Sequence, residues 1–306
     1  MKLLIIGYSD LVRRKILPTV LDNKRIKSFD IASKSKKNIL ENKLDKVYED
    51  YGEALKDSTA DTVYISLPNS MHYEYSSEAL NSNRDVIVDK PAITESWQLE
   101  KLYALSKRKK LTISMSSVFN YHKAWKKFKS ISLKNNESGV LSVSFTIPEL
   151  SSENIRMSKK LGGGAINDMG IYASTVGYLF WDRKIQDIKI NEYKKNKITT
   201  GFTVLANYGN GKDLIGNFGF GKLYMNEAQY FGSKFNTVYE RVFSPHTDYE
   251  TFIQKKTNND LKTYTIGHDD TFKNYFNYVV GNIKNNKTKM RDEFYRINKE
   301  YLKYLK

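Results

Sequence analysis

The chain of 306 residues contains no cysteine, so disulfides and thiolate metal sites are excluded. Four histidines, His72, His122, His246 and His268, are scattered without metal-ligand spacing, and no metal is expected. Five prolines and 17 glycines are too few for a collagen-like or linker-rich architecture. No apolar run approaches the ~20 residues needed to cross a bilayer, so no membrane span is expected. The apolar stretch at residues 3–6 is also shorter than the roughly 7 to 15 residues of a secretion signal. It reads as a first β-strand, and the expected compartment is the cytoplasm.

What is present is enough to build a core. Hydrophobic residues make up 40% of the chain against 27% charged, which excludes wholesale disorder. The length fits two domains. Acidic residues are in deficit, 34 against 50 basic, for a formal net charge of +16. A nucleic-acid partner is one reading of that excess; a lysine-rich surface with anionic small ligands is the other. The cations are spread out, at Lys34, Lys36 and Lys37, at 107–110, at Arg156, Lys159 and Lys160, and at Lys255 and Lys256. No basic helix with interleaved stacking aromatics emerges, so no specific nucleic acid is expected.

The hydrophobic pattern changes character part-way along. Over residues 1–118, short apolar strands at 2–6, 29–33, 47–48, 62–67, 86–88 and 111–115 alternate with helical segments at 13–21, 37–42, 53–56, 73–80 and 95–107. That alternation predicts a parallel, doubly wound sheet of the Rossmann type, a dinucleotide-binding domain. Over 119–306 the pattern is α+β. Helices are expected at 124–131 and from the glycine run at 162–164 through 178. Strands follow at 140–147, 186–192, 199–208, 212–220, 229–235, 237–243 and 261–266, then helices at 270–283 and 292–305. Short strands joined by turn residues predict an open, mainly antiparallel sheet in a second, substrate-binding and oligomerisation domain.

A strand that turns tightly into a helix aims backbone N–H groups and the helix dipole at a pyrophosphate. Here the turn is Gly7-Tyr8-Ser9-Asp10-Leu11-Val12, which keeps one glycine of G-x-G-x-x-G; Ser9 and Val12 stand in the other two places. Ser9 is small enough for the backbone to approach phosphate. After the second strand, NAD-preferring sites place a carboxylate for the ribose 2′-hydroxyl. This chain has Ser33-Lys34-Ser35-Lys36-Lys37 instead. Hydroxyls and ammonium groups suit a 2′-phosphate, so NADP(H) is the expected cofactor and NAD(H) the alternative.

Two later stretches carry a specific resemblance. One runs from Asp61 through Leu67-Pro68-Asn69-Ser70-Met71-His72 and on to Val86-Ile87-Val88-Asp89-Lys90-Pro91; the other is Gly162-Gly163-Gly164-Ala165-Ile166-Asn167-Asp168-Met169-Gly170-Ile171-Tyr172. They resemble the P-N-x-x-H, E-K-P and G-G-G-A-x-x-D-x-G-x-H/Y motifs of the Gfo/Idh/MocA oxidoreductase family, in order across nearly the whole chain. The opening from Gly7 to Arg14, closing at Leu17-Pro18, is similar to the family's NDP-hexose 3-ketoreductase branch. Asp89 replaces the usual Glu, and Tyr172 stands where inositol-dehydrogenase-like members have His.

The resemblance implies hydride transfer at a sugar carbon. The cofactor side it implies comprises Gly7, Ser9, Asp10, Leu11, Ser33, Lys34, Leu67, Pro68, Asn69, His72, Asp89, Lys90 and Pro91. A ketone that gains hydride develops alkoxide charge and needs a nearby acid. Tyr172 is the expected proton donor and Lys90 the cation that favours its phenolate form. Asp168, four residues before Tyr172 and on the same helix face, is expected to orient them or bind a substrate hydroxyl. Three readings follow. The first is an NADP(H)-dependent reductase of a keto group on a nucleotide-linked hexose. The second is an NAD(P)-dependent dehydrogenase of a UDP-amino sugar or polyol. The third is a non-enzymatic cofactor sensor or scaffold on the same fold. The expected partner is a small sugar or nucleotide sugar, and the resemblance implies a homo-oligomer through the open face of the second sheet.

Overall fold

The computed structural model describes residues 1–35, 39–133 and 138–305. They form two compact units, residues 1–116 with 272–299, and residues 117–271 with 300–306.

The first unit is built on six parallel strands, β1 (Lys2–Ile6), β2 (Ser28–Ala32), β3 (Leu44–Tyr48), β4 (Thr62–Ile65), β5 (Asp85–Val88) and β6 (Ile113–Met115). Their order is β3-β2-β1-β4-β5-β6, so the chain reverses direction across the sheet between β1 and β4. Ligands of doubly wound sheets bind at such a switch point, beyond the carboxyl ends of the strands. β1, β4 and β5 are almost wholly buried, which is why they read as continuous apolar runs rather than alternating ones. The connecting helices are α1 (Leu17–Asp22), α2 (Tyr51–Asp57), α3 (His72–Asn81) and α4 (Ser96–Arg108). Asp50 starts α2 by accepting from the N–H groups of Gly52 and Glu53, and Glu95 with Gln98 forms a capping box on α4. The helix expected over 37–42 does not form: residues 39–42 are non-helical, and 36–38 lie outside the described residues.

The second unit opens with α5 (Lys123–Ser132) and carries an eight-stranded sheet together with α6 (Ala165–Trp181). Its strands are β7 (Gly139–Thr146), β8 (Asp187–Lys195), β9 (Ile198–Asn207), β10 (Lys212–Gly219), β11 (Met225–Phe231), β12 (Asn236–Glu240), β13 (Thr251–Lys256) and β14 (Leu261–Gly267). The order is β14-β13-β12-β11-β7-β10-β9-β8, antiparallel throughout except where β7 lies parallel to β10. β13 was not anticipated, because Thr251-Phe252-Ile253-Gln254-Lys255-Lys256 is half polar; its alternation of buried and exposed residues marks it as strand only when paired. One face of the sheet is covered by α5 and α6, with Phe202, Val204, Leu214, Phe218, Tyr230 and Tyr239 buried. On the other face Leu205 and Ile215, paired across β9 and β10, are about half exposed at 49% and 51%. No helix among the described residues is long and apolar enough to cross a membrane.

Residues 272–299 cluster with the first unit, whereas the sequence pattern grouped everything after 118 together. This segment holds most of α7 (Thr271–Asn282) and α8 (Lys287–Tyr301). Thr112 donates to the carbonyl of Ile283 at 2.6 Å, Arg291 to that of Leu111 at 2.9 Å, and Tyr103 to the carboxylate of Asp292 at 2.7 Å. The fully buried carboxylate of Asp85, at the start of β5, accepts from the N–H of Thr112 at 2.7 Å and pairs with Lys284 at 2.7 Å. These are polar links between segments nearly 200 residues apart, and apolar periodicity carries no trace of them.

Asp85 thereby ties the start of β5 to the entry of β6 and to the turn that follows α7. Asp85→Ala is expected to destabilise the first unit by about 1–3 kcal/mol, read as a lower denaturant midpoint. Amide exchange should accelerate over 271–301 ahead of β1 and β4.

Candidate active site

The switch point of the first unit begins at Gly7, directly after β1. Its φ is +97°, a conformation that side chains resist, and a Cβ built there would lie 2.1 Å from the carbonyl oxygen of Ser66. Glycine is required here because the ends of β1 and β4 touch. Two residues on, the Ser9 hydroxyl lies 2.8 Å from that of Ser66 and accepts from the N–H of Val12 at 3.2 Å. Ser66 in turn donates to Asp89 at 2.6 Å. A carboxylate accepts only, so the Ser66 proton points to Asp89 and the Ser9 proton points to Ser66. The Ser9 side chain therefore reaches inward, toward Ser66. Asp10 is exposed and pairs with Arg13; Leu11 is half-buried where the helical turns begin.

Asp89 is the hub of this end of the sheet. It is buried, and besides Ser66 it accepts from Ser116 at 2.8 Å and from Tyr64. Burial first, and then the Asp89 charge, hold the Tyr64 phenol far above its ordinary range, so it remains a donor. Asp89, expected on the cofactor side, has its carboxylate engaged by three internal hydroxyls. Lys90 follows it, half-exposed, joined through a cis peptide to the buried Pro91.

Leu67, Pro68 and Asn69 lead from β4 into a short 3₁₀ turn, Asn69–Met71, and all three are half-exposed. His72 is fully buried behind them. Its Nε2 lies 2.7 Å from the carbonyl oxygen of Leu67 and its Nδ1 2.7 Å from that of Pro91. A neutral ring has one N–H, so His72 donates to one of these carbonyls and packs its other nitrogen against the second, filling the space between the loops after β4 and β5. Ser33 is buried at the end of β2, with its N–H on the carbonyl of Tyr48. Lys34 is exposed, its ammonium 4.8 Å from the centre of the Tyr51 ring. No carboxylate occurs at 33–35; Lys36 and Lys37 lie outside the described residues. A one-glycine turn at a helix start, beside a strand end that offers hydroxyl and ammonium, fits a 2′-phosphorylated dinucleotide.

The second unit holds the other candidates. Gly162, Gly163 and Gly164 lead into α6. The N–H of Gly164 donates to the carbonyl of Arg156 at 2.8 Å, and a Cβ at Gly163 would lie 2.4 Å from that same oxygen. Asn167 closes the loop by donating to the carbonyls of Gly162 and Gly163. Asp168, in the first turn of α6, accepts from Nε of Arg156 at 3.0 Å. Tyr172 follows one turn later, half-buried among Phe119, Phe145 and Phe243, whose ring centres lie 6.3, 5.5 and 4.9 Å away. Asp168 and Tyr172 thus share one helix face, in an ionic and an aromatic setting respectively.

Lys90 belongs to the first unit, and Asp168 and Tyr172 to the second. Sequence reasoning missed Arg156 as the partner of Asp168. The signal was available, a basic residue a short loop ahead of the glycine run, but it was read as surface charge. No group of three or more His, Asp or Glu among the described residues could hold a metal.

Residues 1–117 match the Gfo/Idh/MocA model, described as an oxidoreductase family with an NAD-binding Rossmann fold. Over that span the chain is similar to this family. Beyond it, curated relatives align over most of the length. A dTDP-3,4-didehydro-2,6-dideoxy-alpha-D-glucose 3-reductase of Actinomadura kijaniata is 24% identical over 88% of this chain and 83% of its own. A reductase of the same name from Saccharopolyspora spinosa is 25% identical over 82% and 77%. Among solved structures, a 3-ketoreductase from Actinomadura kijaniata, in complex with NADP and TDP-benzene, superposes with a TM-score of 0.88 at 22% identity, covering 97% of this chain and 94% of that one. An aldose–aldose oxidoreductase from Caulobacter crescentus reaches 0.83 at 13% identity, over 100% and 97%. The Rossmann sheet with a mainly antiparallel second sheet is thus a fold shared with both solved structures.

Burial is the dominant influence on His72 and lowers its pKa, while the two carbonyls and the Asp89 charge pull the other way. A histidine that is harder to protonate when folded makes the unfolded chain bind more protons below about pH 6.5. Stability is then full above that pH and falls as pH drops through it, by up to about 1.4 kcal/mol per pH unit for one group. His122 is lowered by burial in the same way. Denaturant midpoints between pH 7.5 and 5.5 should fall in the native protein and fall less in His72→Gln, measured relative to each protein's own midpoint at pH 7.5.

Proposed function

We propose that this protein is an NADP(H)-dependent oxidoreductase that reduces a keto group on a nucleotide-linked hexose. The observation that carries the reading is the glycine-closed β1–β4 switch point beside a β2 end without carboxylate at 33–35. Support for the substrate class comes from the two dTDP-sugar 3-reductases, which align over more than four fifths of this chain. In this reading the first unit binds the dinucleotide, and the second unit binds substrate and a second copy.

The bound cofactor supplies the hydride. Gly7, Ser9, Asp10 and Leu11 form the turn against the diphosphate, with Ser33 and Lys34 toward the 2′-phosphate. Leu67, Pro68, Asn69, Lys90 and Pro91 line the nicotinamide side, backed by His72 and Asp89. Tyr172 is the proton donor to the nascent alkoxide, held among the rings of Phe119, Phe145 and Phe243. Lys90 is the cationic group of the cofactor side, and Asp168 orients the donor side through its helix. The cysteine-free composition agrees with a cytoplasmic enzyme.

A melting titration with NADPH and NADH tests the cofactor. NADPH at one hundred times its Kd should add about 2.7 kcal/mol of stability, with NADH giving less at equal concentration; no shift with either overturns the reading. Tyr172→Phe should lower kcat by at least about a hundredfold while leaving NADPH affinity unchanged. Full activity in that variant removes Tyr172 from the chemistry.

The exposed face of the second sheet, with Leu205 and Ile215 side by side, is the proposed surface for a second copy. Ile215→Asp should shift sedimentation toward the monomer without changing the far-UV spectrum. An unchanged sedimentation coefficient would place the interface elsewhere.

A further inference from the structure

We propose that Arg156 is the anion-binding residue of the substrate site and takes the diphosphate of a nucleoside-diphosphate sugar. The inference rests on the nucleotide-sugar reading above and adds the residue that would recognise its charged part.

The position of Arg156 is over-determined by backbone. Its N–H is held by the side chain of Asn154 at 3.0 Å, and its carbonyl by the N–H of Gly164 at 2.8 Å. The closeness of Gly163 to that carbonyl allows no side chain between them. The glycine run therefore does more than open α6: it clamps the turn that carries this arginine.

The guanidinium is only partly used. A guanidinium has five N–H donors in a planar fork. Among the described residues Arg156 commits Nε to Asp168, and its side chain is 41% exposed. The two terminal nitrogens form the edge that matches a phosphate bidentately. Asp168 neutralises one charge, but Lys159 and Lys160 stand exposed on the next turn, Lys159–Leu161, and neither has an ion pair among the described residues. From 154 to 167 there is no carboxylate. Three cations against one acid, on a turn rigidly placed one loop ahead of the proposed proton donor, suit a dianionic group linked to the reacting sugar. A bound diphosphate would sit on the same guanidinium that holds Asp168, so occupancy of the nucleotide site and the placing of Asp168 are coupled.

The same chemistry exists in the phosphates of NADPH, so the test separates the two sources. Calorimetric titrations with dTDP and with NADPH are compared for the native protein, Arg156→Ala and Arg156→Lys. Arg156→Lys keeps the charge if the alanine variant fails to fold, and melting temperatures report folding. The expected result is dTDP binding weakened about ten- to hundredfold in Arg156→Ala. Recovery in Arg156→Lys should be partial, because a point charge lacks the fork. NADPH affinity should remain within about twofold, below the tenfold step that one such contact represents.

Equal dTDP binding by native protein and both variants overturns the proposal and leaves Arg156 serving Asp168 alone. Parallel loss of dTDP and NADPH binding also overturns it and assigns the arginine to the cofactor. If the native protein binds NADPH but not dTDP, the nucleotide-sugar reading fails and the proposal with it. If dTDP binding is lost selectively while NADPH never binds, the proposal stands and the reductase reading fails.

Discussion

Asp89 holds the carboxyl ends of the first sheet in register with one another. A buried carboxylate is costly unless its lone pairs are satisfied, and here hydroxyls from Tyr64 on β4, from Ser66 just beyond it, and from Ser116 just beyond β6 satisfy it. Through Ser66 the same network reaches Ser9 in the turn after β1. The residue that follows Asp89 is Lys90, so the turn facing the dinucleotide and the lysine assigned to the chemistry are tied by a chain of three hydrogen-bonding side chains. His72 closes the other side, its ring lying between the carbonyls of Leu67 and Pro91. Together these contacts convert four separate strand ends into one rigid rim.

That arrangement explains two departures from the family pattern. Serine in place of the middle glycine would be a liability if its side chain faced phosphate. It is tolerated because the hydroxyl turns inward, where Ser66 accepts its proton. Aspartate in place of glutamate keeps the carboxylate close to its own strand, within reach of three donors packed around it. The two substitutions are linked through Ser66, since a glycine at position 9 would leave that hydroxyl with one contact fewer.

The parallel sheet was legible because its strands are buried on both faces and bounded by turn residues; Gly7, Pro68 and Asn69 mark the ends of β1 and β4 in plain sequence. The NADP(H)-type loop was legible from what is missing after β2. What escaped was polar and long-range. Nothing local in Asp85 or Lys284 announces a pair across the first unit, and Asp89 and His72 read as ligand-facing residues because their partners are hydroxyls and carbonyls from other strands. β13 escaped for a related reason: with charged residues on its outward side, it becomes a strand only between its neighbours.

Arg156 shows why the second unit needed coordinates. In sequence, Asp168 in a first helical turn has an ordinary explanation as a charge favourable to the helix dipole. In the folded unit that same carboxylate engages the guanidinium of Arg156. Tyr172, one turn further along, sits among the rings of Phe119, Phe145 and Phe243. The two side chains share a helix face yet meet different neighbours, an arginine in one case and an aromatic cluster in the other, and spacing along the chain carries no record of that difference.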